Sequence, residues 1–440
     1  MAKAAKKDPV LTPEEKLAQA LVPEVEQPHR VPENWCWIHL LDSFDNHTDS
    51  KKKIQQKDYL EEGSLAIVDQ GQEIVGGFSD DDKMRYTGTL PVIIFGDHTR
   101  CIKYVDFPFA QGADGVKVLT PKECFLPKAF FYALHSLDIP NMGYRRHYPL
   151  FKNYSIPVPP LAEQQRIVDR IESLFAKLDE AKEKAQAVVE GYEGNRQAFL
   201  YQTFYGNLTA KWRKKQGIQK EASWEIKTLQ SVCAMKITDG THKTPTYCDP
   251  ETGIPFVSAK DVTSGMICWD NIKYIIPELH EELYERLAPQ VDDVLLAKNG
   301  TTGVAAIVEE EKVFDLYVTL AVLRPNKDII DPRYLLNVVN SPICKRQFEE
   351  HLTGIGVPNL HLRDIKEVEI PLPSLAEQKE IVRIIDTMSE KWHEAQVAAE
   401  KVIDSVETMK KSILARAFRG ELGTNDPTEE SAEELLKRIL

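Results

Sequence analysis

One phrase written twice constrains this chain more than anything else in it. Ile156-Pro157-Val158-Pro159-Pro160-Leu161-Ala162-Glu163-Gln164 returns as Ile370-Pro371-Leu372-Pro373-Ser374-Leu375-Ala376-Glu377-Gln378, 214 residues later. The same spacing carries Leu200, Phe204, Gly206 and Leu208 onto Leu414, Phe418, Gly420 and Leu422. A repeat this long, without gaps, implies a duplicated architecture. Proline fixes its own φ and keeps its predecessor out of the helical region, so Ile-Pro-x-Pro is extended. A helix is expected to start near Leu161 and near Leu375, with Glu163 or Glu377 in the first turn, where the helix dipole favours a carboxylate.

Behind each start, apolar residues recur at alternating steps of four and three. They are Ile167, Ile171, Leu174, Leu178, Ala181, Ala185, Val188 and Tyr192 in the first copy. In the second they are Ile381, Ile385, Met388, Trp392, Ala395, Ala399, Val402, Val406, Met409 and Ile413. A 3.5-residue period is the seam of a coiled coil. Each helix spans roughly 40 residues, about 60 Å. Gly191 and Gly194 weaken the first helix by about 1 kcal/mol each relative to alanine and mark a place where it can kink. Two such helices most simply pack on each other, antiparallel if residues 209–369 carry the chain back.

The globular stretches repeat as well. Trp35 and Leu40 match Trp224 and Leu229 at a spacing of 189, so the second stretch is 25 residues longer than the first. The reading divides the chain into an arm (1–30), a first globular domain (31–155), a long helix (156–210), a basic connector (211–222), a second globular domain (223–369), a second long helix (370–422) and a tail (423–440). In the arm, Thr12, Pro13 and Glu15 form a capping box ahead of a short helix, either a docking helix or a loose leader. In the first domain, strands are expected at residues 65–68 and 91–95 and a helix at 127–137. In the second, residues 293–303 read as strand, Asn-Gly turn, strand, and a helix is expected near 332–340. The tail ends in an acidic amphipathic helix with a capping box from Ser431, of a kind usually solvated.

Composition narrows the function classes. The 440 residues are 42% hydrophobic and 28% charged, enough for two or three domains. No apolar run approaches 18 residues, so no membrane span is expected, and the N-terminus has no apolar signal core. Seven scattered cysteines without a Cys-x-x-Cys pair read as reduced cytosolic thiols and support neither disulfides nor zinc. The formal charge of −13 argues against nucleic acid as a partner, although binding needs only a local basic face.

No catalytic constellation holds. There is no phosphate-binding glycine loop and no Asn-Pro-Pro-Tyr or Asp-Pro-Pro-Tyr run. Asp293 with Glu310, Glu311 and Lys312 imitates a nuclease triad but suits an acidic loop better. What the loops do hold is hydrogen-bonding vocabulary. Arg145, Arg146 and His147 stand between Tyr144 and Tyr148, suited to guanine edges or phosphates. Thr241, His242, Lys243 and Thr244 offer the same from the second domain, with Lys260, Lys298, Asn299, Thr301 and Asn359. His98 and Thr99 follow a strand, and Lys51, Lys52 and Lys53 suit phosphates. Each residue taken alone also fits a solvated loop.

The doubled Ile-Pro-x-Pro-x-Leu-Ala-Glu-Gln phrase, the long helices behind it and the Phe-x-Gly-x-Leu exits resemble the specificity subunits of type I restriction-modification systems. Asp239-Gly240-Thr241-His242 and the run from Gly143 to Tyr148 resemble loops of that family. The resemblance implies an α+β fold: two mixed α/β target recognition domains separated by two long helices packed as an antiparallel coiled coil, with an internal pseudo-twofold repeat. It implies double-stranded DNA, two methyltransferase subunits and two restriction or motor subunits as partners, in the cytoplasm. It also implies that this chain does no chemistry and holds no cofactor, with S-adenosylmethionine, ATP and Mg on the partners. A different reading, a coiled-coil scaffold tethering two ligand-binding domains without DNA, also accounts for the repeat and the negative charge. A self-contained methyltransferase or nuclease would need motifs that are missing.

Overall fold

The structure, a computed structural model, describes residues 12–219, 224–262, 265–352 and 359–439. The chain forms two compact units. Met1–Ala185 and Lys401–Leu440 make the first, and Gln186–Glu400 makes the second.

In the first unit a four-stranded antiparallel sheet has the order Phe44–Asn46, Val116–Pro121, Val92–Gly96, Ile102–Val105. Its central strand is buried along its whole length, which explains its unbroken apolar run. The helix Pro127–His135 lays Phe130, Ala133 and Leu134 in the same core as Ile93, Phe95 and Leu119. A smaller sheet joins Gly77–Ser79, Leu65–Val68 and Phe109–Gln111. A two-stranded ribbon pairs Cys36–His39 with Ser155–Val158, placing Pro157 opposite Trp37.

The second unit repeats this plan. Its main sheet has the order Thr238–Asp239, Leu320–Leu323, Val294–Ala297, Ala305–Ile307. Its ribbon pairs Glu225–Thr228 with Glu369–Leu372 and puts Pro371 opposite Ile226. The two ribbon registers superpose at the sequence spacings of 189 and 214, so the duplication extends to individual residue pairs. Ribbon edges are where strand prolines are tolerated, because no ladder bond is lost.

The Glu-Gln of the repeated phrase closes each unit. Gln164 is fully buried; its Oε1 accepts from Leu126 N–H at 2.8 Å, and its Nε2 donates to the carbonyls of Cys124 and Pro159, both at 2.8 Å. Gln378 does the same with Asp331 N–H, Ile329 O and Pro373 O at 2.8, 3.0 and 2.8 Å. One amide thus ties the start of a long helix to the residues leading into the domain's own helix. Gln164→Ala leaves these buried groups without partners, and a cost of ~1–3 kcal/mol per orphaned group is expected in denaturant unfolding. The exposed neighbour substitution Gln165→Ala is expected to stay within about 0.5 kcal/mol.

Glu163 and Glu377 are also fully buried, which the first-turn dipole reading did not anticipate. Each binds the chain that follows the end of the other long helix. Glu163 accepts from Trp35 Nε1 at 2.7 Å and Thr424 Oγ1 at 3.2 Å. Burial pushes its carboxyl up, against the pull of those two donors. Glu377 accepts from Thr209 Oγ1 at 2.6 Å and Arg213 at 2.5 Å. The residues read as a connector therefore contain a short helix, Ala210–Gln216, with Arg213 buried.

The long helices run from Leu161 to Phe204 (44 residues) and from Leu375 to Ala417 (43 residues), the first continuous through Gly191 and Gly194. Their packing is antiparallel. In the first unit Asp179 meets Lys410 at 2.6 Å, while Arg166, nearer the helix start, reaches Thr424 O and Glu429. In the second unit Tyr192 and Phe199 flank Trp392. The expected seam is kept in part: Ala185, Ala399 and Val406 are buried and Tyr192 meets Trp392. Val188, Ala395, Val402 and Met409 are exposed.

The arm and tail are both docked. Thr12 and Glu15 form the expected reciprocal cap, Leu17 is buried, and Leu21 bridges to Ile38. The tail helix Ala432–Ile439 buries Ala432 and Leu436 in the first unit's core, where a solvated tail was expected. Among the described residues no helix is long and apolar enough to cross a membrane.

Candidate nucleic-acid interface

In the first unit the candidate residues gather where the central strand Val92–Gly96 ends. The next residue, Asp97, has a side chain only 1% exposed. Its Oδ2 accepts from Arg146 Nε at 2.7 Å and its Oδ1 from Tyr148 N–H at 2.8 Å. Its backbone carbonyl accepts from His147 N–H at 2.7 Å. Burial works against its ionisation, but the Arg146 guanidinium, the Tyr148 N–H and Lys117 outweigh it and hold the carboxyl below its ordinary value.

His147 is a correction to the sequence reading. It is fully buried, with Nδ1 2.9 Å from Asp97 O and Nε2 3.1 Å from Met142 N–H, so it shapes the loop and offers no edge to a ligand. Beside it Tyr144 is largely exposed and stacks on His98, with ring centroids 4.8 Å apart and planes 13° apart.

Lys53, His98, Gln111, Asp114, Lys117 and Arg146 line one cleft of about 320 Å³. A second, of about 260 Å³, holds Lys52, Arg85 and Tyr86 and shares Gln111. Lys51 and Lys52 are exposed on a turn whose N–H groups are held by Asp49, and Lys53 pairs with Asp114. Arg145 is exposed, and Thr99 turns its hydroxyl onto Gln70 O. A chain of net charge −13 thus carries five cations around two adjoining clefts, set among the carboxylates of Asp49, Asp97 and Asp114. Arg85, Gln111 and Lys117 escaped the sequence reading: they lie in unrelated segments without a motif, and only the fold brings them together.

The second unit uses the same backbone clamp. Leu360 N–H donates to Lys298 O at 2.8 Å, as His147 N–H does to Asp97 O. Lys298, like Asp97, is the first residue after the central strand. Asn359 bridges Asn299 there, so the structure brings these two candidates together. Lys298 and Thr241 are corrections: both are buried. The Lys298 ammonium lies 3.1 Å from Asp239, which also holds His242 at 3.3 Å. Lys243 is paired with Glu282 and Lys260 lies 3.6 Å from Asp261. Thr244 and Thr301 are exposed and apart from the clamp's hydrogen bonds. Residues 354–358 lie outside the described residues.

Asp293 is engaged structurally: Arg324 holds both its oxygens, at 2.8 and 2.7 Å. Among the described residues no group of three or more His, Cys, Asp or Glu side chains is placed to hold a metal ion.

Two mixed α/β units, two long antiparallel helices and a shared loop clamp define a duplicated recognition scaffold. A profile of the type I restriction modification DNA specificity domain matches residues 46–190 and 221–399, and the chain belongs to that family. It is 27% identical over 285 residues to the type I restriction enzyme EcoBI specificity subunit of Escherichia coli. It is also 27% identical over 279 residues to the EcoKI specificity subunit of Escherichia coli strain K12. These matches cover 61% and 62% of this chain and 58% of each relative's length. The fold matches the crystal structure of an HsdS subunit from Thermoanaerobacter tengcongensis, with a TM-score of 0.60 and 19% identity, over 90% of this chain and all of that one.

Proposed function

We propose that this chain is the DNA-reading subunit of a type I restriction-modification complex. Each globular domain reads one half of a bipartite, asymmetric site in double-stranded DNA. The paired helices set the spacer, and the repeated phrases with the flanking helix ends dock two methyltransferase subunits. Two restriction or motor subunits complete the full assembly. Chemistry belongs to those partners, which hold S-adenosylmethionine, ATP and Mg, and the assembly works in the cytoplasm. The observation that carries this reading is the clamp that recurs at the end of the central strand in both units. The same scaffold there presents loops of different sequence. Two readers with different loops imply unlike half-sites. The non-DNA scaffold reading leaves the cationic clefts of the first unit without a purpose.

The experiment is to express the chain with the methyltransferase of its own system and map the methylated bases in the host DNA. Exchanging residues 31–155 for the matching stretch of a relative is expected to change one half of the methylated motif and leave the other intact. A change in both halves would contradict the two-reader arrangement.

A further inference from the structure

Resting on the DNA-reading function above, we propose that the first unit contains a guanine-reading subsite in which Arg146 makes the contact and Asp97 aims it. Asp97 and its loop partner are locked by five hydrogen bonds: Arg146 Nε and Tyr148 N–H to the carboxylate, His147 N–H and Nδ1 to the carbonyl, and Met142 N–H to His147 Nε2. Met142 N–H donates to His147 Nε2, which leaves Nδ1 to face the Asp97 carbonyl, and the ring is buried. The loop carrying Arg146 is therefore fixed to the end of a fully buried strand, with little freedom to sweep across a ligand.

The guanidinium itself is directed outward. Its side chain is 61% exposed while its Asp97 partner is 1% exposed. Nε is committed to Asp97, and the two terminal nitrogens have no protein partner among the described residues. Two parallel N–H donors in a fixed plane match the O6 and N7 acceptors on the major-groove edge of guanine. The buried carboxylate also selects the kind of acceptor. An ion-paired guanidinium keeps its directional donors but loses much of its long-range pull on a phosphate, so a neutral base edge is favoured. Arg145 next door is exposed, has no carboxylate partner among the described residues, and is suited to the phosphate backbone. In the second unit the residue at the clamp is Lys298, buried against Asp239, so that half-site is read by other groups.

The test uses the full chain with its methyltransferase. The wild-type motif is expected to hold a guanine at one position that Arg146→Ala relaxes, roughly 5- to 150-fold in discrimination, with the other half unchanged. Arg146→Gln is expected to move preference at that position toward adenine. Asp97→Asn is expected to relax the same position and, by unpairing the guanidinium, to steepen the salt dependence of binding, and Asp97→Glu is expected to restore discrimination in part. A duplex with 7-deazaguanine at that position, lacking N7, is expected to bind the unmodified protein about tenfold more weakly, a readout independent of any variant's folding. A relaxed position that is not guanine, an undiminished affinity for the 7-deaza duplex, or a uniform loss in Arg146→Ala with a shallower salt slope would each overturn the subsite. A chain that directs no methylated motif at all would overturn the DNA-reading function as well.

Discussion

Replacing Arg213 with leucine is expected to destabilise the second unit by about 3–5 kcal/mol, because it strands a buried carboxylate. Glu377 is fully buried and Arg213 is 7% exposed at the side chain. The guanidinium also donates to Thr209 Oγ1 at 2.8 Å and to Gly206 O at 2.6 Å, so it holds the exit of one long helix against the start of the other. Arg213→Leu combined with Glu377→Gln is expected to recover most of the loss, since no charge is left unpaired. Amide exchange localised to residues 186–400 measures the effect. Equal exchange in wild type and Arg213→Leu would show that the pair contributes nothing.

The first unit indicates why the pairing could not be read from the repeat. Glu163 stands at the same place in the same phrase, yet its partners are an indole and a hydroxyl, and its carboxyl is pushed up by burial. The sequence marks where a carboxylate enters each core. It does not mark what neutralises it, because Arg213 and Thr424 come from stretches that no longer resemble each other.

The helices were legible because their signal is periodic and long; of the ribbons only the extended Ile-Pro-x-Pro strand was legible, and its pairing with the strand after Trp35 or Trp224 was not. The seam was legible at Ile167, Ile171, Ile381 and Ile385, where helix and domain share a core, and again at Ala185, Ala399 and Val406, which are buried. Val188, Val402 and Met409, read as seam positions too, are exposed. In the candidate interface, Arg146 announced itself by its charge and its tyrosine neighbours, and His98 by its place after a strand. Asp97 did not, since an acidic residue after a strand has many uses. Its role appears only once the fold returns residues 142–148 to that strand's end. The same return explains why His147 and Lys298, polar in sequence, are buried in the structure: each is held by an acceptor distant along the chain.

The largest functional effect is expected from the helices. The Asp179–Lys410 contact fixes their register in the first unit and places Lys182 close to the level of Ser405. Adding four residues after each of these positions lengthens both helices by about 6 Å at ~1.5 Å per residue. Duplex DNA rises ~3.4 Å per base pair, so the methylated motif is expected to gain about two base pairs of spacer. Four residues exceed one turn by only about 40° at ~3.6 residues per turn, so the apolar faces still meet. Two residues would rotate them by about 200° and are expected to abolish assembly with the methyltransferase. Neither insertion touches the loops around Asp97 or Lys298, so the half-site bases are expected to stay as they are. An active four-residue variant that keeps the original spacer would place the ruler in the partner subunits, since nothing else in this chain would have changed length.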